Sequence, residues 1–71
     1  MNLPIKILRL PDVIARTGLS RSQIYRLISL GMFPIQVHLG ERASGWVEAE
    51  IENWLLARIE ESRARHNRSV A

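Results

Sequence analysis

The spacing of apolar residues in the first half of the chain predicts two helices joined by a tight turn. Residues 11–17 predict a short helix, because Pro11 suits the first turn of a helix and Gly18 suits its end. Residues 20–30 predict a second helix, which Gly31 ends and whose apolar residues share one face. That face consists of Ile24, Leu27 and Ile28. Two helices with a glycine turn between them are typical of the helix-turn-helix unit.

The second predicted helix also has a capping signal and a polar face. Ser20 and Gln23 have the spacing of a capping box, in which each side chain bonds the backbone N–H of the other residue. The positions outside the apolar face are Arg21, Ser22, Tyr25, Arg26 and Ser29. From the pattern alone, this polar face either lies in solvent or binds a partner.

Alternation of apolar and polar residues predicts a β-hairpin after the second helix. Residues 35–39 alternate strictly and predict a strand, and residues 46–47 predict a short returning strand. Ile35, Val37 and Leu39 are expected to face inward, with Gln36 and His38 outward. Residues 40–45 predict a projecting loop between the strands, so that the hairpin forms a wing. Residues 5–10 predict a further short strand before the first helix.

Helical spacing returns at residues 48–61 and predicts a third helix. Its expected buried face is Ile51, Trp54, Leu55 and Ile59, and the rest of the core is expected to include Val13, Ile14 and Leu19. The predicted fold is therefore mainly α with a small β-hairpin, a winged helix-turn-helix of three helices plus a wing within residues 1–61. Residues 62–71 have no apolar period and are expected to be a basic, flexible C-terminal tail.

Composition limits the class of protein. The chain of 71 residues is long enough for one small domain, and it contains no cysteine. A small secreted domain usually needs disulfides, so we expect a cytoplasmic protein. The longest apolar runs are too short to cross a membrane, and residues 1–11 do not form a signal-peptide core.

Charge is distributed unevenly along the chain, which has a net charge of +3. Residues 1–42 carry six Lys and Arg against two Asp and Glu, whereas residues 43–61 carry one Arg against five Glu. Residues 62–71 carry three Arg and no acid. A polyanion is therefore attracted to the first and third segments and repelled by the third predicted helix.

This distribution predicts that the second helix lies in the major groove of DNA, with its N-terminal residues toward the base edges. Arg21 is expected to reach a guanine edge or a phosphate, and Ser22 to lie where the bases come closest. Tyr25 and Arg26, one turn later, are expected to bind phosphates. Arg42 at the wing is expected to reach a minor groove or a phosphate. The full set of predicted DNA-binding residues is Arg21, Ser22, Gln23, Tyr25, Arg26, His38, Arg42 and Ser44.

Some of these residues also have simpler interpretations. The side chain of Gln23 is expected to bond within the capping box. His38 suits a solvent-facing strand position, and Arg42 can pair with Glu41 or Glu48. The tryptophans Trp46 and Trp54 are expected to pack within the domain rather than to stack on bases.

Three stretches together resemble the AlpA family of small phage and prophage regulators, which is similar to excisionase-like and MerR-like winged helices. They are LPDVIARTGLSRSQIYRLISLGMFP, VHLGERASGW and EAEIENWL, within residues 7–59. The resemblance implies a DNA-binding transcriptional activator, often tied to prophage excision. Carried over by position, it implies DNA contacts at Arg21, Ser22, Tyr25, Arg26 and Arg42. The chain departs from the family pattern at Ala49, where many relatives have a serine cap, and in the C-terminal tail.

The sequence therefore predicts a sequence-specific regulator of prophage or mobile-element genes, whose partner is double-stranded DNA. A weak homodimer or a cooperative assembly on repeated sites is expected, without a membrane or a small-molecule ligand. No catalytic arrangement, cofactor motif or metal site is recognisable, so an enzyme is not expected.

Two other interpretations stay open. One is an excisionase that bends DNA as an architectural protein. The other is a helix-turn-helix domain that binds a partner protein through exposed apolar side chains. The residues of that apolar patch are Leu30, Met32, Phe33 and Leu56.

Overall fold

Three helices and three short strands build the domain in a computed structural model, which describes the backbone of residues 4–70 and the side chains of residues 4–67. The elements are β1 (Ile7–Leu8), α1 (Leu10–Thr17), α2 (Arg21–Ser29), β2 (Val37–Gly40), β3 (Ala43–Val47) and α3 (Glu48–Val70). This order confirms the predicted fold, a mainly helical winged helix-turn-helix with a small hairpin.

The helix ends of the helix-turn-helix follow the local signals of the sequence. Gly18 ends α1 with φ of 76°, a left-handed backbone conformation that residues with a Cβ atom rarely adopt. Ser20 caps α2, and the predicted capping box with Gln23 is present. After α2, Gly31 also has a positive φ of 71°, and the chain turns away toward the hairpin.

The strands form one antiparallel sheet in the order β1-β3-β2. Leu8 pairs with Trp46 on β3, and Val37 on β2 pairs with Gly45. A Cβ at Gly45 would collide with the Ile7 side chain and the Leu8 carbonyl oxygen, so only glycine allows β1 to lie this close to β3. The chain then passes directly from β3 into α3, and the Glu48 N–H donates to the Lys6 carbonyl at 2.8 Å.

The core joins every helix to the sheet. Its buried side chains are Leu8, Val13, Ile24, Phe33, Trp46 and Ile51. Among the expected core residues Val13 is fully buried, whereas Ile14 and Leu19 are half-buried against the cluster. Trp46 packs inside the domain as predicted, and its indole N–H donates to the Pro34 carbonyl at 3.0 Å. The prediction that Phe33 belongs to an exposed patch is wrong, because its ring packs edge-on against Trp54.

The predicted orientation of the first hairpin strand is wrong. Ile35 is 70% exposed and Leu39 is 49% exposed, and all four residues of β2 are exposed. The cause is that β2 is an edge strand, paired only with β3, and lies outside the cover of the helices. A register shift between His38 and Gly40 also leaves Leu39 without a partner on β3, which breaks the alternation.

The predicted wing loop is also too long. Ala43, Ser44 and Gly45 belong to β3, so the turn consists of Glu41 and Arg42 alone. The glycine that suggested a loop is part of the strand, because β1 lies so close to Gly45 that a side chain there would collide with it.

The third helix does not end near residue 61 but continues to Val70. Ile59, which was expected to be buried, is 44% exposed, because the helix extends past the core. Ion pairs between neighbouring turns support this extension: Glu61 binds Arg58 at 2.8 Å and Arg65 at 2.9 Å. Among residues 4–70, no helix has the length and apolar character needed to cross a membrane. The side chain of Arg68, one of the predicted tail cations, lies outside the described residues.

Candidate nucleic-acid interface

The outer face of α2 is polar, basic and exposed. Burial of Ile24 fixes the orientation of the helix, and Leu27 and Ile28 pack beside it. The remaining surface of the helix exposes the predicted residues Arg21, Ser22, Tyr25 and Arg26. The helix contains no Asp or Glu, so no carboxylate of its own opposes the two arginines. A polyanion can therefore approach this face without repulsion from carboxylates of the same helix.

Gln23 serves the helix end, as the simpler interpretation of this residue predicts. The Ser20 N–H donates to the Gln23 side-chain carbonyl at 2.8 Å, and the Gln23 N–H donates to the Ser20 hydroxyl at 3.2 Å. The two bonds hold the first turn of α2 in place, and with it the neighbouring Arg21 and Ser22. In this geometry the Gln23 side chain is engaged in the capping box, and its predicted contact with DNA stays a prediction.

Tyr25 joins α2 to the hairpin. Its ring packs edge-on against Trp46, with ring centroids 6.5 Å apart. The guanidinium of Arg21 lies over the Tyr25 ring, 5.8 Å from its centre. Since Trp46 belongs to β3, a row of three side chains connects the start of α2 to the base of the wing.

The hairpin places its three predicted residues in different settings. His38 and Ser44 are direct partners in the register of β2 and β3. His38 is exposed, whereas Ser44 is half-buried. Arg42 occupies the exposed two-residue turn, and it makes no ion pair with any residue from 4 to 67, including Glu41 and Glu48. The turn therefore exposes a cation at the point of the hairpin farthest from β1.

The cations of the domain differ in whether they form ion pairs. The Arg16 guanidinium donates to Glu48 at 3.0 Å and to Glu52 at 2.8 Å. The hydrogen bond to Glu48 is the main cause that raises the pKa of Arg16; desolvation opposes it, and the hydrogen bond to Glu52 adds a further increase. Lys6 also approaches Glu48, at 3.9 Å. The described side chains with a positive charge and no ion pair are Arg9, Arg21, Arg26, Arg42 and Arg63.

Arg9 is a candidate that the sequence analysis did not identify. It follows β1 directly, and its side chain lies beside Gly45 of β3, where the hairpin leaves the core. Its backbone N–H donates to the Asp12 carboxylate at 3.4 Å, whereas its exposed side chain makes no ion pair within residues 4–67. Only the pairing of β1 with β3 brings it to the hairpin, and its sequence position gives no sign of that pairing.

The comparisons with known proteins agree with this architecture. Residues 6–59 match the family described as Prophage CP4-57 regulatory protein (AlpA). An uncharacterized protein of Enterobacteria phage P4 is 46% identical over 54 residues, a match that covers 76% of this chain but only 61% of that protein. The DNA-binding transcriptional activator AlpA of Escherichia coli (strain K12) is 42% identical over 60 residues, which cover 76% of this chain and 86% of that protein. No solved structure gives a significant match. The chain belongs to the AlpA family of prophage regulatory proteins.

Proposed function

We propose that this protein regulates transcription of prophage or mobile-element genes by binding a specific site on double-stranded DNA. In this proposal α2 lies in the major groove, and the turn of the hairpin lies on the adjacent minor groove or the phosphate backbone. The printed name of the Escherichia coli relative, a DNA-binding transcriptional activator, supports the proposal. The protein acts in the cytoplasm, without a cofactor and without enzymatic activity.

One observation carries the proposal: Arg21, Arg26 and Arg42 are exposed and have no carboxylate partners within residues 4–67. Two of these cations lie on the outer face of α2 and the third on the wing turn. Tyr25 and Trp46 connect these two elements. Phosphates bound there would form ion pairs with these arginines, which have none within residues 4–67.

The dimensions of α2 suit the major groove. The helix has nine residues, which span roughly 13 Å at ~1.5 Å per residue, against a groove width of ~12 Å. Arg21 and Ser22, in the first turn, are assigned to base edges. Tyr25 and Arg26, one turn later, are assigned to phosphates. Arg9, beside the hairpin base, is assigned to a phosphate as well.

Specificity follows from how few bases one short helix can touch. A single copy contacts a short stretch of sequence, so we expect modest affinity for one isolated site. Repeated sites or a second copy of the protein would add the remaining discrimination. One tightly bound copy on an isolated half-site would contradict this part of the proposal.

The test is the salt dependence of binding to a fluorescently labelled duplex of random sequence. The variants are the double substitution Arg21→Ala/Arg26→Ala and a matched control, Arg58→Ala/Arg65→Ala, which removes the same charge from α3. Each lost phosphate contact is expected to lower the slope of log K against log salt by ~0.9. We expect the α2 pair to lower the slope and the α3 pair to leave it unchanged. Equal effects of the two pairs would contradict the assignment of α2 to DNA.

A further inference from the structure

The C-terminal part of α3 extends beyond the domain that it supports. Leu55 is the last apolar residue of the helix that packs against the core. Beyond it, Leu56 is 56% exposed and Ile59 is 44% exposed. The ion pairs of this part join residues of the same helix, Arg58 and Arg65 with Glu61. Two large apolar side chains are thus presented to solvent on the part of α3 that follows its last contact with the core.

These apolar residues belong to a stripe with opposite charges at its ends. The stripe consists of Glu52, Leu56, Ile59 and Arg63, at spacings of four, three and four residues. Such spacings place all four side chains on one face of a helix. The acid lies at the N-terminal end, the base lies at the C-terminal end, and the two apolar residues lie between them.

The stripe is complementary to itself when the helix is reversed. In an antiparallel pair of α3 helices centred between Leu56 and Ile59, Glu52 faces Arg63 of the second copy and Leu56 faces Ile59 of the second copy. A two-fold axis repeats both contacts, as a closed symmetric interface requires. We propose that this stripe is a dimer interface between two copies of the protein, formed by antiparallel packing of α3.

The side chains at both ends of the stripe have capacity for this contact. Glu52 uses its Oε1 atom in the bond to Arg16, and no bond within residues 4–67 occupies its other carboxylate oxygen. Arg63 is exposed and has no ion pair with these residues. Since Arg16 already fixes the Glu52 carboxylate, the acid is held in position for a second cation.

An open groove next to the stripe can receive an apolar side chain. Its volume is about 260 Å³, and it is lined by Arg16, Glu52, Leu55, Leu56 and Ile59. Three of these five lining residues are apolar, and the other two are the paired Arg16 and Glu52. A branched aliphatic side chain from a second α3 fits such a groove, because burial there removes apolar surface from both helices.

Charge argues against DNA as the occupant of this face. Glu52 lies within the stripe, and Glu60 lies one residue beyond Ile59. A phosphate backbone placed along the stripe would meet these carboxylates. The contact area of one helical stripe is small, so the dimer is expected to be weak and to depend on concentration.

The test is sedimentation of the full chain without DNA, up to millimolar concentration, so that its outcome is independent of the proposed DNA binding. Wild type is expected to move from 8.1 kDa toward twice that mass as concentration rises. Glu52→Arg and Arg63→Glu should each remain monomeric, since each places like charges opposite one another at both ends of the pair. An equimolar mixture of the two variants should dimerise, because every facing pair is then again of opposite charge. In Glu52→Arg the domain keeps the bond between Arg16 and Glu48.

A second pair of variants tests the apolar part of the interface. Leu56→Lys is expected to abolish dimerisation and to leave the helix intact, since the new cation lies one turn from Glu52 and from Glu60. Met32→Lys is the matched control, because Met32 is 54% exposed but lies off the stripe; it should dimerise like wild type. A wild-type protein that stays monomeric at millimolar concentration overturns the proposal. So does a dimer that survives both Leu56→Lys and Arg63→Glu.

Discussion

Helices α2 and α3 both expose arginines, yet the surroundings of these arginines differ. On α2, Arg21 and Arg26 have no carboxylate on their own helix and no ion pair with the described residues. On α3, Arg58 and Arg65 share Glu61. Helix α3 carries four arginines against two on α2, yet it also carries five glutamates, whereas α2 carries no acid. Because of these acids and of the pairs that they form, α3 presents a less positive field to a polyanion than α2 does.

The same contrast explains the role of the acidic start of α3. Glu48 and Glu52 bind Arg16 of α1. They therefore neutralise a cation at the back of the helix-turn-helix and attach α1 to α3. Most cations of residues 4–67 that have no ion pair lie on α2, on the hairpin turn and beside the base of the hairpin; the exception is Arg63 on α3. This division agrees with the proposed function, in which α3 supports the domain and α2 binds DNA.

The largest expected effect comes from removing the side chain that joins α2 to the hairpin. Trp46 is 1% exposed and contacts Tyr25 of α2. Trp46→Ala should cost about 3–5 kcal/mol in free energy of unfolding, which approaches the whole stability of a domain this small. Urea denaturation followed by circular dichroism measures it, with half-buried Trp54→Ala as a milder comparison. An unchanged unfolding midpoint would show that α2 and the hairpin do not depend on this contact.

The next prediction separates the positioning role of Gln23 from the charge requirement of the interface. Gln23→Glu retains the capping box and adds a carboxylate to the first turn of α2, where helices favour one. Thermal stability should be unchanged or slightly raised. DNA affinity should fall, since a like charge a few ångströms from a phosphate costs about 1–4 kcal/mol. If affinity is retained, the first turn of α2 does not lie against DNA.

A smaller effect is expected at the wing. Arg42→Ala should weaken binding to all sequences alike and lower the slope of log K against log salt by ~0.9, because a phosphate contact carries no base information. Titrations of a selected duplex and a random duplex at several salt concentrations measure both effects. A loss confined to the selected duplex would instead assign Arg42 to base readout in the minor groove.

The smallest effect is expected on α3. Arg58→Glu changes charge by as much as Arg26→Glu does, but Arg58 is paired with Glu61 and lies over the Trp54 ring. Surface substitutions of this kind usually alter stability by less than about 0.5 kcal/mol, and DNA affinity should stay near that of wild type. Arg26→Glu measured in parallel should lose most of its binding. Similar losses in the two variants would remove the distinction between the helices.

The helix-turn-helix was predictable because its signals are local. Gly18, Ser20 and Gln23 determine helix ends within a few residues of themselves, and the structure confirms each of them. The apolar face formed by Ile24, Leu27 and Ile28 identified the buried side of α2, and so also its exposed side. The predicted DNA-binding residues of α2 are therefore exposed as expected, and their contacts with DNA stay a prediction.

The hairpin and α3 were harder to predict because they depend on distant contacts. Alternation identifies two faces of a strand but not which face is covered, so Ile35 was assigned to the wrong side. The pairing of Arg16 with Glu48 and Glu52 joins residues more than 30 positions apart, and no local pattern shows it. The length of α3 did have a local sign. The spacing of Arg58, Glu61 and Arg65 supports a continuing helix even where the apolar period ends.

The central claim is that the polar face of α2 reads DNA sequence. Its most direct test is selection of bound duplexes from a random pool, with wild type, Arg21→Ala and the control Arg58→Ala in parallel. We expect one enriched motif for wild type and Arg58→Ala, and loss of preference at one or two positions of that motif for Arg21→Ala, since a bidentate arginine–base contact contributes about 1–3 kcal/mol of discrimination. A pool without an enriched motif, or a motif that Arg21→Ala leaves unchanged, would contradict the claim and favour a protein partner for this face.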